Sequence, residues 1–69
     1  MTNEQLRNAN LYAARIKNGY KRWYAYAVIG AMFDGKEIPE RPSMLSAMAA
    51  QAVRIHLATI FTVNEAAQA

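Results

Sequence analysis

The stretch from residue 20 to residue 33 limits the possible folds of this chain more than any other part of the sequence. It reads YKRWYAYAVIGAMF, and from Trp23 to Phe33 it contains no charged or amide side chain. On a helix of about 3.6 residues per turn these apolar side chains point in every direction. A helix that is apolar all round is normally covered on all sides, so we expect this stretch to be the central helix of a small helical assembly.

The chain is short for the amount of apolar surface that it must cover. It has 69 residues, of which 54% are hydrophobic, and a chain of this size buries only about 60% of its unfolded surface on folding. Small proteins commonly gain stability from disulfides, metals or oligomerisation. Because the sequence has no cysteine and one histidine, we expect neither a disulfide nor a metal or other cofactor. We therefore predict an all-α, three-helix domain spanning 1–69 that forms an intertwined or packed homo-oligomer.

Capping residues place the first helix at about residues 3–18. Thr2 and Gln5 have the spacing of a capping box, in which each side chain bonds the backbone of the other residue. Asn18 and Gly19 are expected to end this helix, because glycine adopts the left-handed conformation of a helix C-terminus without steric cost.

Similar signals bound the other two helices. The second helix is expected over about 20–34 and ends at Gly35, and a proline-containing, charged surface connection follows it. Ser43 is predicted to cap the third helix, which covers about 43–64. Whether this helix returns antiparallel or packs on a partner subunit stays open.

The third helix carries apolar residues on more than one side. Met48 and Ile55 belong to a broad apolar face, which the helical spacing predicts to be the core face. Leu57 and Phe61 fall nearly opposite and form a second apolar patch, which favours burial between subunits. With the remaining sides of the central helix, this patch defines the predicted oligomer interface: Tyr26, Gly30, Phe33, Leu57 and Phe61.

Cations and aromatic residues alternate around the connection between the first two helices. The predicted partner-binding residues are Arg15, Lys17, Lys21, Arg22, Trp23 and Tyr24, with Tyr20 among them in sequence. Residues 1–33 carry five cations against Glu4 alone, a net charge of +4, whereas residues 34–69 have a net charge of −1. Cations bind phosphates and aromatic rings stack on bases, but the same residue types also dominate protein interfaces. An acidic protein surface and a nucleic-acid backbone are therefore both possible partners, and burial of the rings in the core is a third interpretation.

The turn at Gly19 does not fit a DNA-binding helix-turn-helix. Arg15 would occupy a position where a small residue normally packs between the two helices. Beyond Arg22, the second helix offers almost no polar side chain that could contact base edges in the major groove. A nonspecific contact with phosphates remains compatible with the sequence.

Neither catalysis nor membrane insertion is indicated by the sequence. His56 lies among apolar residues with no carboxylate within one turn and no paired nucleophile, so we expect it in the core or in an interface rather than in a catalytic site. The longest apolar run has eleven residues, and a membrane span needs about twenty. The polar start MTNEQLRNAN does not resemble a signal peptide, which predicts a cytoplasmic protein.

These observations favour a noncatalytic interaction protein that binds and modulates a larger macromolecule, with no small-molecule substrate. A protein is the favoured partner, and a small nucleic-acid-binding protein that uses the basic connection (residues 15–24) is the alternative. Small helical proteins without cysteine are frequent among accessory proteins of phages and mobile elements. The chain resembles that class only in size and composition, and this resemblance assigns no site.

Overall fold

The fold is all-α. The computed structural model describes the backbone of residues 2–68 and the side chains of residues 2–62. Within this part of the chain lie three helices and no strand: α1 (Asn3–Ala14), α2 (Gly19–Asp34) and α3 (Ala47–Gln68). Each helix packs against the other two around a shared core. The prediction of a three-helix, all-α fold is confirmed.

The start of α1 has the predicted capping box. The Thr2 hydroxyl oxygen accepts a hydrogen bond from the Gln5 backbone N–H at 3.1 Å, and Gln5 Oε1 accepts one from the Thr2 N–H at 2.7 Å. Gln5 is also buried, and its Nε2 donates to the Phe61 carbonyl of α3 at 2.6 Å. One side chain therefore both caps α1 and fastens its first turn to α3.

α1 ends four residues before the predicted position. Its last residue is Ala14, and Arg15 closes a tight final turn. Asn18 instead caps the start of α2, because its Oδ1 accepts hydrogen bonds from two backbone N–H groups of that helix at 2.9 and 3.1 Å. The prediction that Asn18 and Gly19 end the first helix is wrong, since Gly19 is the first residue of α2 and does not adopt a positive φ.

α2 ends where the sequence predicts. Gly35 has a φ of 69°, in the left-handed region that favours glycine. Its N–H donates to the Met32 carbonyl, and the Lys36 N–H donates to the Ala31 carbonyl at 2.8 Å. This pair of bonds is a Schellman motif, which satisfies carbonyl groups that the helix end would otherwise leave unpaired.

α3 begins later than predicted. The prediction of Ser43 as its N-cap is wrong, because the Leu45 N–H bonds the Pro42 carbonyl in a turn that precedes the helix. The Ser46 hydroxyl caps α3 by accepting a hydrogen bond from the backbone N–H of its third residue at 3.1 Å. The turn directs Leu45 into the core, where it is buried.

Small side chains let the three helices approach one another closely. Ala9 and Ala13 are the fully buried apolar residues of α1. The complete set of buried apolar residues is Ala9, Ala13, Tyr24, Ala25, Val28, Ile29, Leu45, Ala50, Val53 and Leu57. Because every helix contributes to this cluster, the three helices share a single core.

α2 is not surrounded by the rest of its own chain. Tyr24 and Val28 point into the core, whereas Trp23, Tyr26 and Phe33 are exposed on the remaining sides. A single chain therefore leaves part of α2 exposed, and the full coverage of this helix in a larger assembly stays a prediction. Three mutually packed helices each bury one side, so the described part of the chain leaves the other side of α2 open.

α3 is rotated about its axis relative to the predicted orientation: Val53 and Ile60 lie at the core as predicted, but other residues of the predicted core face do not. Met48 is 83% exposed and Ile55 is 58% exposed, whereas Leu57 is fully buried and Phe61 packs against the core. Assigning Leu57 to an oligomer interface is wrong, because the chain's own core encloses its side chain. Phe61 likewise packs within the chain. A helix with apolar residues on several sides has a weakly defined core face, and packing against α1 and α2 selects it.

Candidate partner-binding site

The structure separates the predicted partner-binding residues into surface residues and one core residue. Arg15 and Lys17 are exposed in the link between α1 and α2, and Lys21 is half-buried on the first turn of α2. Trp23 is exposed on the same helix. Tyr24 is fully buried, so its prediction as a partner-binding residue is wrong.

The Tyr24 hydroxyl connects three parts of the fold. It donates a hydrogen bond to the Pro39 carbonyl of the α2–α3 connection at 2.9 Å. It also accepts one from Arg54 Nη1 of α3 at 2.9 Å. A tyrosine with a buried ring and a bonded hydroxyl is a common structural arrangement, which explains why this aromatic residue is not available to a partner.

Arg22 folds back onto the link between the first two helices. Its Nη1 donates to the Ile16 carbonyl at 3.2 Å, although the side chain remains exposed. Arg22 thus helps to hold the link, and Arg15 and Lys17 extend from that link into solvent. The predicted cations therefore do gather around the N-terminal end of α2.

An open aromatic cleft lies at the same end of α2. It has a volume of about 660 Å³ and is lined by Asn18, Gly19, Tyr20, Trp23 and Pro42. Trp23 is 59% exposed and Tyr20 is 51% exposed, so large parts of both rings face solvent. Pro42 reaches the cleft from the α2–α3 connection. We call this feature the aromatic cleft.

Three residues that line the aromatic cleft are not among the residues predicted to bind a partner. The sequence predicts Asn18 and Gly19 only as a helix end, and Pro42 only as part of a surface connection. Pro42 lies 19 positions after Trp23 in the sequence, and only the packing of α3 on α2 brings the connection back to this point. A periodic pattern carries no information about such a contact.

The other predicted interface residues occupy a separate part of α2. Tyr26, Gly30 and Phe33 are exposed, and Tyr26 lines a groove against α1 together with Leu6 and Leu11. Among the described residues, no atom lies within 4 Å of the position that a Cβ would take on Gly30. This side of α2 is therefore open in the single chain, and its role in oligomerisation stays a prediction.

His56 lies on the surface rather than in the core. Its ring stacks on Tyr12 of α1, with ring centroids 4.0 Å apart and an interplanar angle of 17°. Burial raises the pKa of the Tyr12 hydroxyl above its ordinary value. The pair thus joins α1 to α3 through two aromatic rings.

Among the described residues, no group of three His, Cys, Asp or Glu side chains is placed to hold a metal ion. In the same part of the chain, no helix has the length and apolar character needed to cross a membrane. Comparison with protein-family models, curated proteins and solved structures gives no match.

Proposed function

We propose that the chain is a noncatalytic interaction protein that binds an acidic segment of a larger protein in the aromatic cleft. The observation that carries this proposal is the exposure of Trp23, the one tryptophan of the sequence, beside Tyr20 and Pro42. A tryptophan offers about 150–250 Å² of surface for burial. At about 25 cal/mol per Å², covering the 59% that is exposed would contribute about 2–4 kcal/mol to binding.

Charge supports an acidic partner. Arg15, Lys17, Lys21 and Arg22 lie on the link and the first turn of α2, next to the cleft. The only carboxylate in residues 1–33 is Glu4, at the far end of α1. Such a field attracts anionic partners and raises their association rate, whereas burial of the aromatic rings supplies most of the affinity.

The shape of the cleft favours a protein over a nucleic acid. Tyr20 and Trp23 line one concave space with Pro42, which suits the insertion of an apolar side chain. Nucleic-acid bases stack instead on open aromatic platforms along a basic groove. Binding to nucleic acid remains the alternative, and it is an outcome of the experiment below.

The experiment measures the binding of a labelled, capped peptide with a central phenylalanine flanked by aspartate and glutamate, by fluorescence anisotropy. Trp23→Ala is expected to weaken binding by at least about tenfold, the factor that 1.4 kcal/mol gives. Ile55→Ala is the control, because it truncates an equally exposed apolar side chain on α3. Lys17→Gln with Lys21→Gln is the charge variant; Arg22 is left intact because it bonds the Ile16 carbonyl.

Salt dependence separates the two partners. A single-stranded oligonucleotide that binds with steep salt dependence, while the peptide does not bind, would establish the nucleic-acid alternative. Peptide binding that is equal for wild type and a folded Trp23→Ala variant would exclude the aromatic cleft as the site.

A further inference from the structure

A second open cleft lies beside the aromatic cleft. It has a volume of about 600 Å³ and is lined by Glu40, Arg41, Ser43, Ala47 and Arg54. Pro42, which lies between two of these residues in the chain, lines the aromatic cleft. The two clefts are therefore neighbours across a single residue of the α2–α3 connection. We call the second one the arginine cleft.

Arg54 enters the arginine cleft in a fixed orientation. The residue is half-buried on α3, and its Nη1 donates to the Tyr24 hydroxyl at 2.9 Å. The Tyr24 ring is fully buried and its hydroxyl is bonded to the Pro39 carbonyl, so this anchor is itself held by the core. The bond uses one of the five N–H donors of the guanidinium, which keeps a planar fork suited to carboxylate oxygens.

Arg41 is held in a similar way. Its Nη1 donates to the Leu45 carbonyl at 2.7 Å, and the Leu45 side chain is buried. Both guanidinium groups thus bond neutral oxygen atoms, and these bonds leave their positive charges unneutralised. Holding both arginines in place before binding lowers the side-chain entropy that a ligand would otherwise have to overcome.

Glu40 lowers the net positive charge of the arginine cleft, which affects the kind of anion that can bind there. It lines the same cleft as the two arginines, so the three charged side chains together carry a net charge of +1. A carboxylate, with one negative charge, would balance this cleft. A phosphate monoester carries about −1.5 to −2 at neutral pH and would leave the cleft with an excess of negative charge beside Glu40.

We infer that the arginine cleft is a carboxylate-binding site, which takes an acidic side chain of the same segment whose apolar residue enters the aromatic cleft. The choice of partner rests on the proposed function. The protein would then recognise an apolar residue and an acidic residue that lie close together in one polypeptide. The two residues would bind in the two clefts on either side of Pro42.

The first test uses anions alone. The protein is titrated with acetate and with inorganic phosphate at constant ionic strength, and binding is followed by NMR at the backbone amides of Arg41, Ser43 and Ala47 and at the Arg54 side chain. Acetate is expected to give saturable shifts at these groups. Arg54→Gln is expected to remove them, and Glu40→Gln is expected to strengthen acetate binding and to add phosphate binding.

The second test uses the anisotropy assay with two peptides that differ only in glutamate or glutamine beside the phenylalanine. The glutamate peptide is expected to bind wild type at least about tenfold more tightly, and Arg54→Gln is expected to abolish that difference. Arg7→Gln is the matched control, because it removes the same charge from an exposed position on α1. The fold of Arg54→Gln is checked by its thermal midpoint; the bond from Tyr24 to Pro39 remains in this variant.

The outcomes separate this inference from the proposed function. If both peptides bind equally and Trp23→Ala abolishes binding, the arginine cleft is not a carboxylate site and the proposed function stands. If neither peptide binds but acetate still shifts the cleft resonances in an Arg54-dependent way, the carboxylate site stands and the proposed partner is wrong. The absence of a saturable acetate shift would overturn the site.

Discussion

Leu57→Ala tests the rotation of α3, on which both clefts depend. Leu57 is fully buried in the core of the single chain, whereas Ile55, two positions earlier, is 58% exposed. If the periodic pattern alone were right, Leu57 would lie between subunits and Ile55 in the core. Truncating each residue to alanine therefore distinguishes the observed rotation from the predicted one.

The expected effect is large relative to the stability of so small a protein. Removing a buried leucine side chain costs about 2–5 kcal/mol, from lost transfer free energy and the remaining cavity. At about 0.05–0.15 kcal/mol per residue, a chain of 69 residues has a free energy of unfolding of roughly 3–10 kcal/mol. Each kcal/mol shifts the thermal midpoint by about 4–8 °C, so Leu57→Ala lowers it by at least about 8 °C. Ile55→Ala changes the free energy of unfolding by less than about 0.5 kcal/mol.

Thermal and urea denaturation, followed by circular dichroism at two widely different protein concentrations, measure the stability of both variants. The burial of Leu57 in the core of the single chain would be refuted if Leu57→Ala had the same thermal and urea midpoints as Ile55→Ala. It would also be refuted if Leu57→Ala kept its full helicity and stability and changed only the oligomeric state, because that result would show that Leu57 lies in a subunit interface.

Three further predictions concern other surfaces of the molecule. Gly30→Ala raises the free energy of unfolding by up to about 1 kcal/mol, because alanine is the better helix former and a Cβ there meets no atom of the described residues within 4 Å; a lower thermal midpoint would show that another helix crosses at this position. The contribution of the Tyr12 hydroxyl to the free energy of unfolding is fully present below the ordinary tyrosine pKa of about 10, and it is lost as pH rises through the raised pKa of folded Tyr12. Tyr12→Phe is therefore expected to reduce the decrease of the urea midpoint at alkaline pH, and an equal decrease in both proteins would contradict this. At micromolar concentration the wild type scatters light as a dimer or larger species, and Phe33→Ser shifts it toward a single chain; a helical wild type with the mass of one chain refutes the prediction.

The parts of the fold that the sequence predicts depend on residues close together in the chain. The Thr2–Gln5 capping box spans three positions, and the Schellman motif at Gly35 spans five. Each is a local arrangement that needs little from the rest of the molecule. Asn18 shows the limit of such signals, because an Asn-Gly pair can end one helix or begin the next.

The candidate site depends on contacts between distant residues, which is why much of it could not be predicted. Trp23 and Tyr24 look equivalent in the sequence, yet one is exposed and the other lies in the core. The central helix is apolar on all sides, so its pattern does not select the buried side. Pro42 and Arg54 join the site only through the packing of α3, 19 and 31 positions after Trp23.

The hydrogen bond from Tyr24 to Pro39 also determines where the chain can accept additional residues. Between the Schellman motif, which includes the Lys36 N–H, and the anchored carbonyl of Pro39 lie two exposed residues, Glu37 and Ile38. An insertion there enlarges a loop whose two ends are already fixed, and doubling the length of a loop costs only about 0.6 kcal/mol. An insertion after Pro39 would instead move the walls of both clefts. Residues 37–38 are therefore the place at which a label or an affinity tag could be built into the chain.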